Sequence, residues 1–219
     1  MQKSGDWWFP KGETHLPEWI ANPKNKMILN GRESYQGKKQ FEATSNCKKF
    51  RTAIDIGGHV GLWSYNLSHL FNSVHAFEPV QAHRDCFTKN VLEHRGNVSL
   101  HAVALGTKEG SISIRTESSS SGDSRVDGVG DIPLKPLDSF NLKDVDFIKL
   151  DCEGYELFAL MGGVKTIKKF KPVIIVEQKP GHAQRYGLGE KEAVSYLKGL
   201  GYRLIKEISG DFILSPHKN

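Results

Sequence analysis

The stretch Asp55–Gly61, D-I-G-G-H-V-G, follows the apolar run T-A-I-D-I and precedes a helical stretch. No other part of the chain restricts the fold as much. A strand that ends in Asp-x-Gly can bend sharply because Gly57 and Gly58 tolerate positive φ, and their missing side chains let a ligand approach the backbone. Gly61 then lets the next helix pack closely on the sheet. Units of this strand–turn–helix kind build α/β proteins, in which ligands lie beyond the carboxyl ends of the strands.

The glycine spacing selects the ligand. A dinucleotide site expects G-x-G-x-x-G and a phosphate loop ends in G-K-[ST], whereas this chain reads D-x-G-G-x-x-G. The turn suits a ligand with an amino-acid end and a ribose end, as S-adenosylmethionine has. Glu78, in V-H-A-F-E-P, ends the expected second strand about 20 residues beyond the turn, where a carboxylate can accept both ribose hydroxyls. The plain alternative for Glu78 is a solvated strand end; turn and acid at this separation favour the ligand role.

From Arg51 onward, short apolar runs alternate with amphipathic segments, the pattern of parallel strands joined by crossover helices. Strands are expected at 52–56, 73–77, 98–103, 111–114, 145–150, 173–178, 202–207 and 211–215, and helices at 61–71, 80–94, 154–169 and 190–199. The run at 111–114 reads as no more than a hairpin edge. Ser209-Gly210 should turn the last two strands into an antiparallel hairpin closing the sheet. Residues 1–50 form an irregular N-terminal arm or lid ahead of a domain spanning 51–219, and 116–130 is a Ser/Gly-rich loop; neither is expected in the core. The loop is either a flexible connection or an active-site loop that orders on substrate binding.

The motifs A-I-D-I-G-G-H-V-G-L-W-S (53–64), A-F-E-P (76–79), A-V-A-L-G (102–106), P-L-D-S-F (136–140), F-I-K-L-D-C-E-G-Y-E (147–156) and P-V-I-I-V-E (172–177) occur in this order. Together they resemble the FkbM-type S-adenosylmethionine-dependent methyltransferases. The family usually has Ala-Asn at Gly58-His59 and commonly an aliphatic residue at Cys152, departures that leave the turn intact. The resemblance implies a class I, Rossmann-like fold: α/β, with a doubly wound, mostly parallel seven-stranded sheet and a C-terminal antiparallel hairpin. It also implies O-methylation of a carbohydrate or glycosylated small molecule. The expected cofactor-binding set is Asp55, Gly57, Gly58, His59, Gly61, Glu78, Pro79, Val103, Ala104 and Asp151.

Asp55, Glu78, Asp151 and Glu177 each end an expected strand on the ligand edge, gathering four carboxylates around one crevice. Such like charges are costly unless a cation sits among them: the sulfonium and ammonium of the donor, Lys149, Lys179 or a divalent metal. Transfer to a hydroxyl also needs a proton acceptor. Asp151, with Glu153 in K-L-D-C-E-G-Y-E, is the first candidate, directly or as a metal ligand. Glu177 and His182 in E-Q-K-P-G-H are the second, with an exposed loop histidine as the plain alternative. Asp151, Glu153 and Glu177 offer oxygens of the kind Mg²⁺ accepts, so a metal is possible without being indicated. Trp7, Trp8, Phe9 and His15 form an aromatic cluster suited to covering the cleft and, second, to stacking on substrate; the alternative is an arm packed on the domain. Trp63 reads as core.

A chain of 219 residues with 38% hydrophobic content suits one sizeable core. The net charge of +5 is a mild excess, weak support for nucleic acid. Three cysteines without C-x-x-C spacing indicate neither a disulfide framework nor a zinc site, and no apolar run is long enough for a signal peptide or a membrane span. A reducing, cytoplasmic setting and a small-molecule or glycan partner are expected. Nucleic-acid methylation and a non-catalytic S-adenosylmethionine-binding module are the competing readings. Oligomeric state is not legible in the sequence.

Overall fold

The computed structural model describes residues 1–217. Five apolar runs become parallel strands, β1 (Thr52–Ile56), β2 (Ser73–Phe77), β3 (Val98–His101), β4 (Val145–Leu150) and β5 (Val173–Glu177), and the chain closes with the antiparallel pair β6 (Tyr202–Ile208) and β7 (Asp211–Pro216). The sheet runs β6-β7-β5-β4-β1-β2-β3. Every residue of β1 and β5 is buried, as continuous apolar strands covered on both faces must be. Helices α1 (Leu62–Leu70), α2 (Gln81–Phe87), α3 (Glu156–Gly162), α4 (Val164–Phe170) and α5 (Glu192–Gly199) connect and cover the strands. Strand order reverses between β1 and β4, whose register sets Lys149 beside Asp55 and Leu150 beside Ile56. The carboxyl ends at this switch point open the crevice that such sheets use for ligands.

Three elements depart from the sequence reading. The strand expected over 98–103 stops at His101, and Ala104–Leu105 instead joins Gly110–Ile112 and Ile132–Lys135 in a separate small sheet. The helix expected over 154–169 breaks between α3 and α4 at Gly162-Gly163. A side chain on Gly162 would collide with the carbonyl of Gly106, and one on Gly163 would press on Leu137. The helix after β2 ends in one π turn, Thr88–Leu92, which directs Asn90 inward to donate to the carbonyls of Trp8 (2.9 Å) and Val60 (2.8 Å).

The first fifty residues were expected to be irregular and outside the core, and the structure corrects both points. They form hairpins Gln2–Ser4/Trp7–Phe9 and Ile28–Leu29/Arg32–Glu33 and helices His15–Ala21 and Gly37–Thr44. Trp7, Phe9, Leu16 and Ile20 are buried against Val60, Leu62, Tyr65 and Phe87. Trp7 meets Tyr65 edge-to-face at 5.4 Å and donates its indole N–H to the Glu33 carbonyl. This is why α1 is buried almost all round: its inner face meets the sheet and its outer face meets this N-terminal layer. Burying side chains of this size is worth about 1.5–3 kcal/mol each, so the segment contributes to folding as well as to the cleft. No helix among the described residues is long and apolar enough to cross a membrane.

Candidate active site

The glycine turn is held by its neighbours. The N–H groups of Gly57 (φ 78°) and Gly58 both donate to the Phe77 carbonyl at 3.0 Å, tying the end of β1 to the end of β2. A Cβ on Gly57 would strike the Asp151 carbonyl, and one on Gly61 (φ 91°) would strike Val91. These two missing side chains let strands and helix approach one another. Gly57, Gly58 and His59 line the cleft, whereas Gly61 and Asp55 lie behind it.

Asp55 is fully buried. It accepts from Ser64 Oγ at 2.7 Å and faces Lys149 Nζ at 3.2 Å. Burial pushes its pKa up, while Lys149 and Ser64 pull the other way. Lys149 also donates to the Gly57 carbonyl (2.7 Å) and stands 3.8 Å from Asp151; burial opposes its charge, but Asp55 and Asp151 outweigh that and raise its pKa. This lysine pins the turn from below.

Glu78, only 4% exposed, sits at the tip of β2. Its Oε2 accepts from the His59 backbone N–H and its Oε1 from that of Val80, both at 2.8 Å, with His83 Nδ1 at 3.2 Å. Oε2 has acceptor capacity left over, and the side chain lines the cleft beside Pro79, Val80, Val103 and Ala104. The His59 ring points away from Glu78, to Ser121 Oγ at 2.8 Å. Burial and the neighbouring His83 and Lys149 hold its pKa well below the ordinary value, so the ring is neutral.

Ser121 belongs to the Ser/Gly-rich loop, which is folded over the cleft. Ser120, Ser121 and Ser124 line the site, and Glu13 accepts hydrogen bonds from both the backbone N–H and the hydroxyl of Ser121. The N–H groups of Thr14 and His15 donate to the Ser119 carbonyl at 3.2 Å, and Tyr186 donates to the Val126 carbonyl at 3.0 Å. The cleft holds about 1180 Å³ of empty space including its open mouth.

The other end of the cleft is charged. Asp151, Glu153, Glu177 and Lys179 line it, with Tyr35 from the N-terminal segment. Burial works against ionised Asp151, but Lys149 and Lys179 hold its pKa below the ordinary value. Burial and nearby Asp151 push Glu177 up to about 10 despite Lys179 at 2.6 Å. Glu153 has φ 55° and Gly154 φ 103°, a left-handed pair that costs a non-glycine residue about 1–3 kcal/mol. The turn is held by Glu156, whose Oε1 accepts from the N–H groups of Cys152 (2.9 Å) and Gly154 (3.0 Å). Burial raises Glu156 to about 7.

Of the expected substrate residues, His15 lines the cleft, but Trp7 and Trp8 do not. Trp7 is only 1% exposed, and Trp8 is anchored through its backbone by Asn90, so the alternative of an arm packed on the domain holds for both. Trp63 packs in the core as expected yet also borders the cleft. His182 stands outside the cleft, behind Glu153. The sequence reading missed Tyr35, His83, Ser121 and Tyr155 as lining residues. Tyr155 lies within the 147–156 motif and Ser121 within the loop read as a possible active-site loop, while Tyr35 and His83 are brought in by tertiary packing alone.

The family model for the methyltransferase FkbM domain matches residues 55–204, more than half of the chain. The chain belongs to the FkbM methyltransferase family. Among solved structures, the FkbM methyltransferase of Methylobacillus flagellatus KT is 18% identical with a TM-score of 0.52. That likeness covers 75% of this chain but 43% of the other, so the chain spans less than half the length of that relative. A Streptococcus mutans protein in complex with SAH is 14% identical, TM-score 0.52, covering 86% of this chain and 97% of that one. An rRNA methylase from Streptococcus thermophilus is 9% identical, TM-score 0.51, covering 82% and 95%. No curated protein matches the sequence. At these identities the structural likeness shows the fold, which is that of class I methyltransferases.

Proposed function

We propose that this FkbM-family methyltransferase uses S-adenosylmethionine to methylate a hydroxyl group of a carbohydrate or glycosylated small molecule. The observation that carries the reading is the placement of Glu78. Its buried carboxylate lines the cleft at the tip of β2, beside the glycine turn, with Oε2 free to accept from a ribose hydroxyl. The Streptococcus mutans relative, of the same fold, is in complex with SAH, the product of that donor. Gly57, Gly58 and the backbone of His59 would hold the amino-acid end, and Pro79, Val80, Val103 and Ala104 give apolar walls for a base. When bound, the donor would supply an electrophilic methyl group on a sulfonium for transfer to the acceptor oxygen.

The chain's own residues have to align the acceptor and remove its proton. Asp151, kept ionised by Lys149 and Lys179, takes the hydroxyl proton. Glu177, whose pKa burial and nearby Asp151 raise, lines the same end and helps to position the acceptor. The Ser121 loop, clasped by Glu13, limits water at the reacting centre. A cleft end lined by Asp151, Glu153, Glu177 and Lys179 suits an acceptor rich in hydroxyls, because each polar wall group needs a partner once buried. The test is calorimetry with S-adenosylmethionine, followed by a search for S-adenosylhomocysteine release over a panel of sugars and glycosylated metabolites. Micromolar binding and turnover on at least one sugar hydroxyl support the reading. Turnover on RNA alone, with affinity falling steeply with salt, moves the acceptor to nucleic acid, and binding without turnover on any acceptor leaves a cofactor-binding module.

A further inference from the structure

Glu153, Glu177 and His182 bring one ligand atom each within 4.8 Å of one another. The two acids border the cleft, and the imidazole stands immediately behind them. We infer that these three side chains form a binding site for a divalent first-row transition metal such as Mn²⁺, at the acceptor end of the cleft.

Three observations carry this. Glu177 is 2% exposed, and its Oε2 has no hydrogen-bond partner, although Oε1 is paired with Lys179. A buried carboxylate oxygen without a partner is costly and rare. His182 Nδ1 is likewise buried without a hydrogen bond, although it lies 2.9 Å from Glu153 Oε2. Two ligands held cis around a metal at about 2.1 Å stand about 3.0 Å apart, so this pair already has the separation that coordination needs. Finally, the two segments meet only because residue 154 is glycine: a Cβ there would collide with the His182 carbonyl. The turn that carries Glu153 is thus fitted against the segment that carries His182.

The donor set fixes the metal class. Two carboxylates alone suit Mg²⁺ or Ca²⁺, whereas an added imidazole moves the preference towards Mn²⁺, Fe²⁺ or Zn²⁺. Three protein ligands leave coordination positions open, and the two acids bring the ion to the cleft wall. The site differs from the Asp151–Glu153–Glu177 set that the sequence leaves possible, since His182 takes the place of Asp151 and leaves Asp151 free as the base. On the acceptor-hydroxyl reading proposed above, the open positions take two neighbouring hydroxyls of the acceptor. Coordination orients them and makes the reacting one more acidic.

The test is a Mn²⁺ titration followed by electron paramagnetic resonance, on metal-free protein without donor or acceptor. Wild type should bind one Mn²⁺ per chain, and Glu153→Gln and His182→Ala should each weaken binding about 10-fold or more. S-adenosylhomocysteine affinity, measured in parallel, should change little in either variant. Crystals soaked in Mn²⁺ give a reading that does not depend on the variants folding, with an anomalous peak expected between the three side chains. No saturable Mn²⁺ binding, variants that bind as wild type does, or an anomalous peak elsewhere overturns the site. Intact S-adenosylhomocysteine binding alongside such a result overturns the metal alone, whereas loss of S-adenosylhomocysteine binding by wild type strikes the methyltransferase reading.

Discussion

The two ends of the cleft are built by different means. At the end we assign to the donor, backbone and a single acid do the work: Gly57, Gly58 and His59 turn from β1 into α1, and Glu78 locks the turn through the His59 and Val80 N–H groups. At the acceptor end, charged side chains from separate segments converge. Asp151 and Glu153 follow β4, Glu177 ends β5, and Lys179 and Tyr35 come from flanking chain. A ligand common to a whole fold class can be met by a local backbone motif, because its shape is fixed. An acceptor that varies has to be met by side chains that can change without moving the sheet.

If that division is right, mutations at the two ends should separate binding from turnover. The largest effect is expected for Glu78→Ala, which would remove the charge-assisted contact proposed for the ribose together with the lock on the turn. Donor affinity should fall about a thousandfold, read by calorimetry with S-adenosylhomocysteine. A loss under tenfold would erase the contrast. Next, Asp151→Asn should lower kcat about 100-fold with donor affinity almost unchanged; a matching loss of donor binding would place Asp151 in the donor half. Glu13→Gln, which weakens the clasp on Ser121, should raise acceptor KM about 10-fold with a smaller effect on kcat. Steady-state kinetics on the first acceptor found would show whether the loop serves the acceptor end or both.

The smallest effect concerns the Cys152–Gly154 turn. Glu156 ordinarily titrates at 4.5, and in the fold at about 7, so the folded state binds its proton more tightly than the unfolded chain does. Its contribution to stability is complete below about pH 4.5 and is lost as pH rises through about 7. Glu156→Gln keeps an oxygen for the Cys152 and Gly154 N–H groups and removes the titration. The variant should be more stable than wild type at pH 8 by about 1–3 kcal/mol, and no different at pH 4. Urea melts at the two pH values would check this.

The same contrast decides what could be read from the sequence. The central strands and the C-terminal hairpin declare themselves as apolar runs broken by turn residues, and the proposed donor site rests on D-x-G-G-x-x-G and an acid at the end of the next strand. Those signals are local, because one stretch of backbone carries the whole instruction. The N-terminal layer escaped for the opposite reason. Trp7 and Phe9 form a three-residue strand, too short for a period to show, and their burial depends on Tyr65 and Phe87 more than fifty residues away. The Ser121 loop reads by composition either as a flexible connection or as an active-site loop, and what decides its order, Glu13, is distant in sequence. The break at Gly162-Gly163 was visible as a Gly pair, but its cause, the close approach of Gly106 and Leu137, was not. His182 lay in no pattern that distinguishes it from an exposed loop histidine; the turn at Gly154 is what brings it to Glu153.

The central claim is that the turn at 57–59 and the carboxylate of Glu78 together hold the donor. A crystal structure with S-adenosylhomocysteine bound tests it most directly. The ribose hydroxyls should lie within hydrogen-bond distance of Glu78 and the amino-acid end against the backbone of Gly57–His59. Density for the ligand at any other place, or none at saturating concentration, would contradict the account.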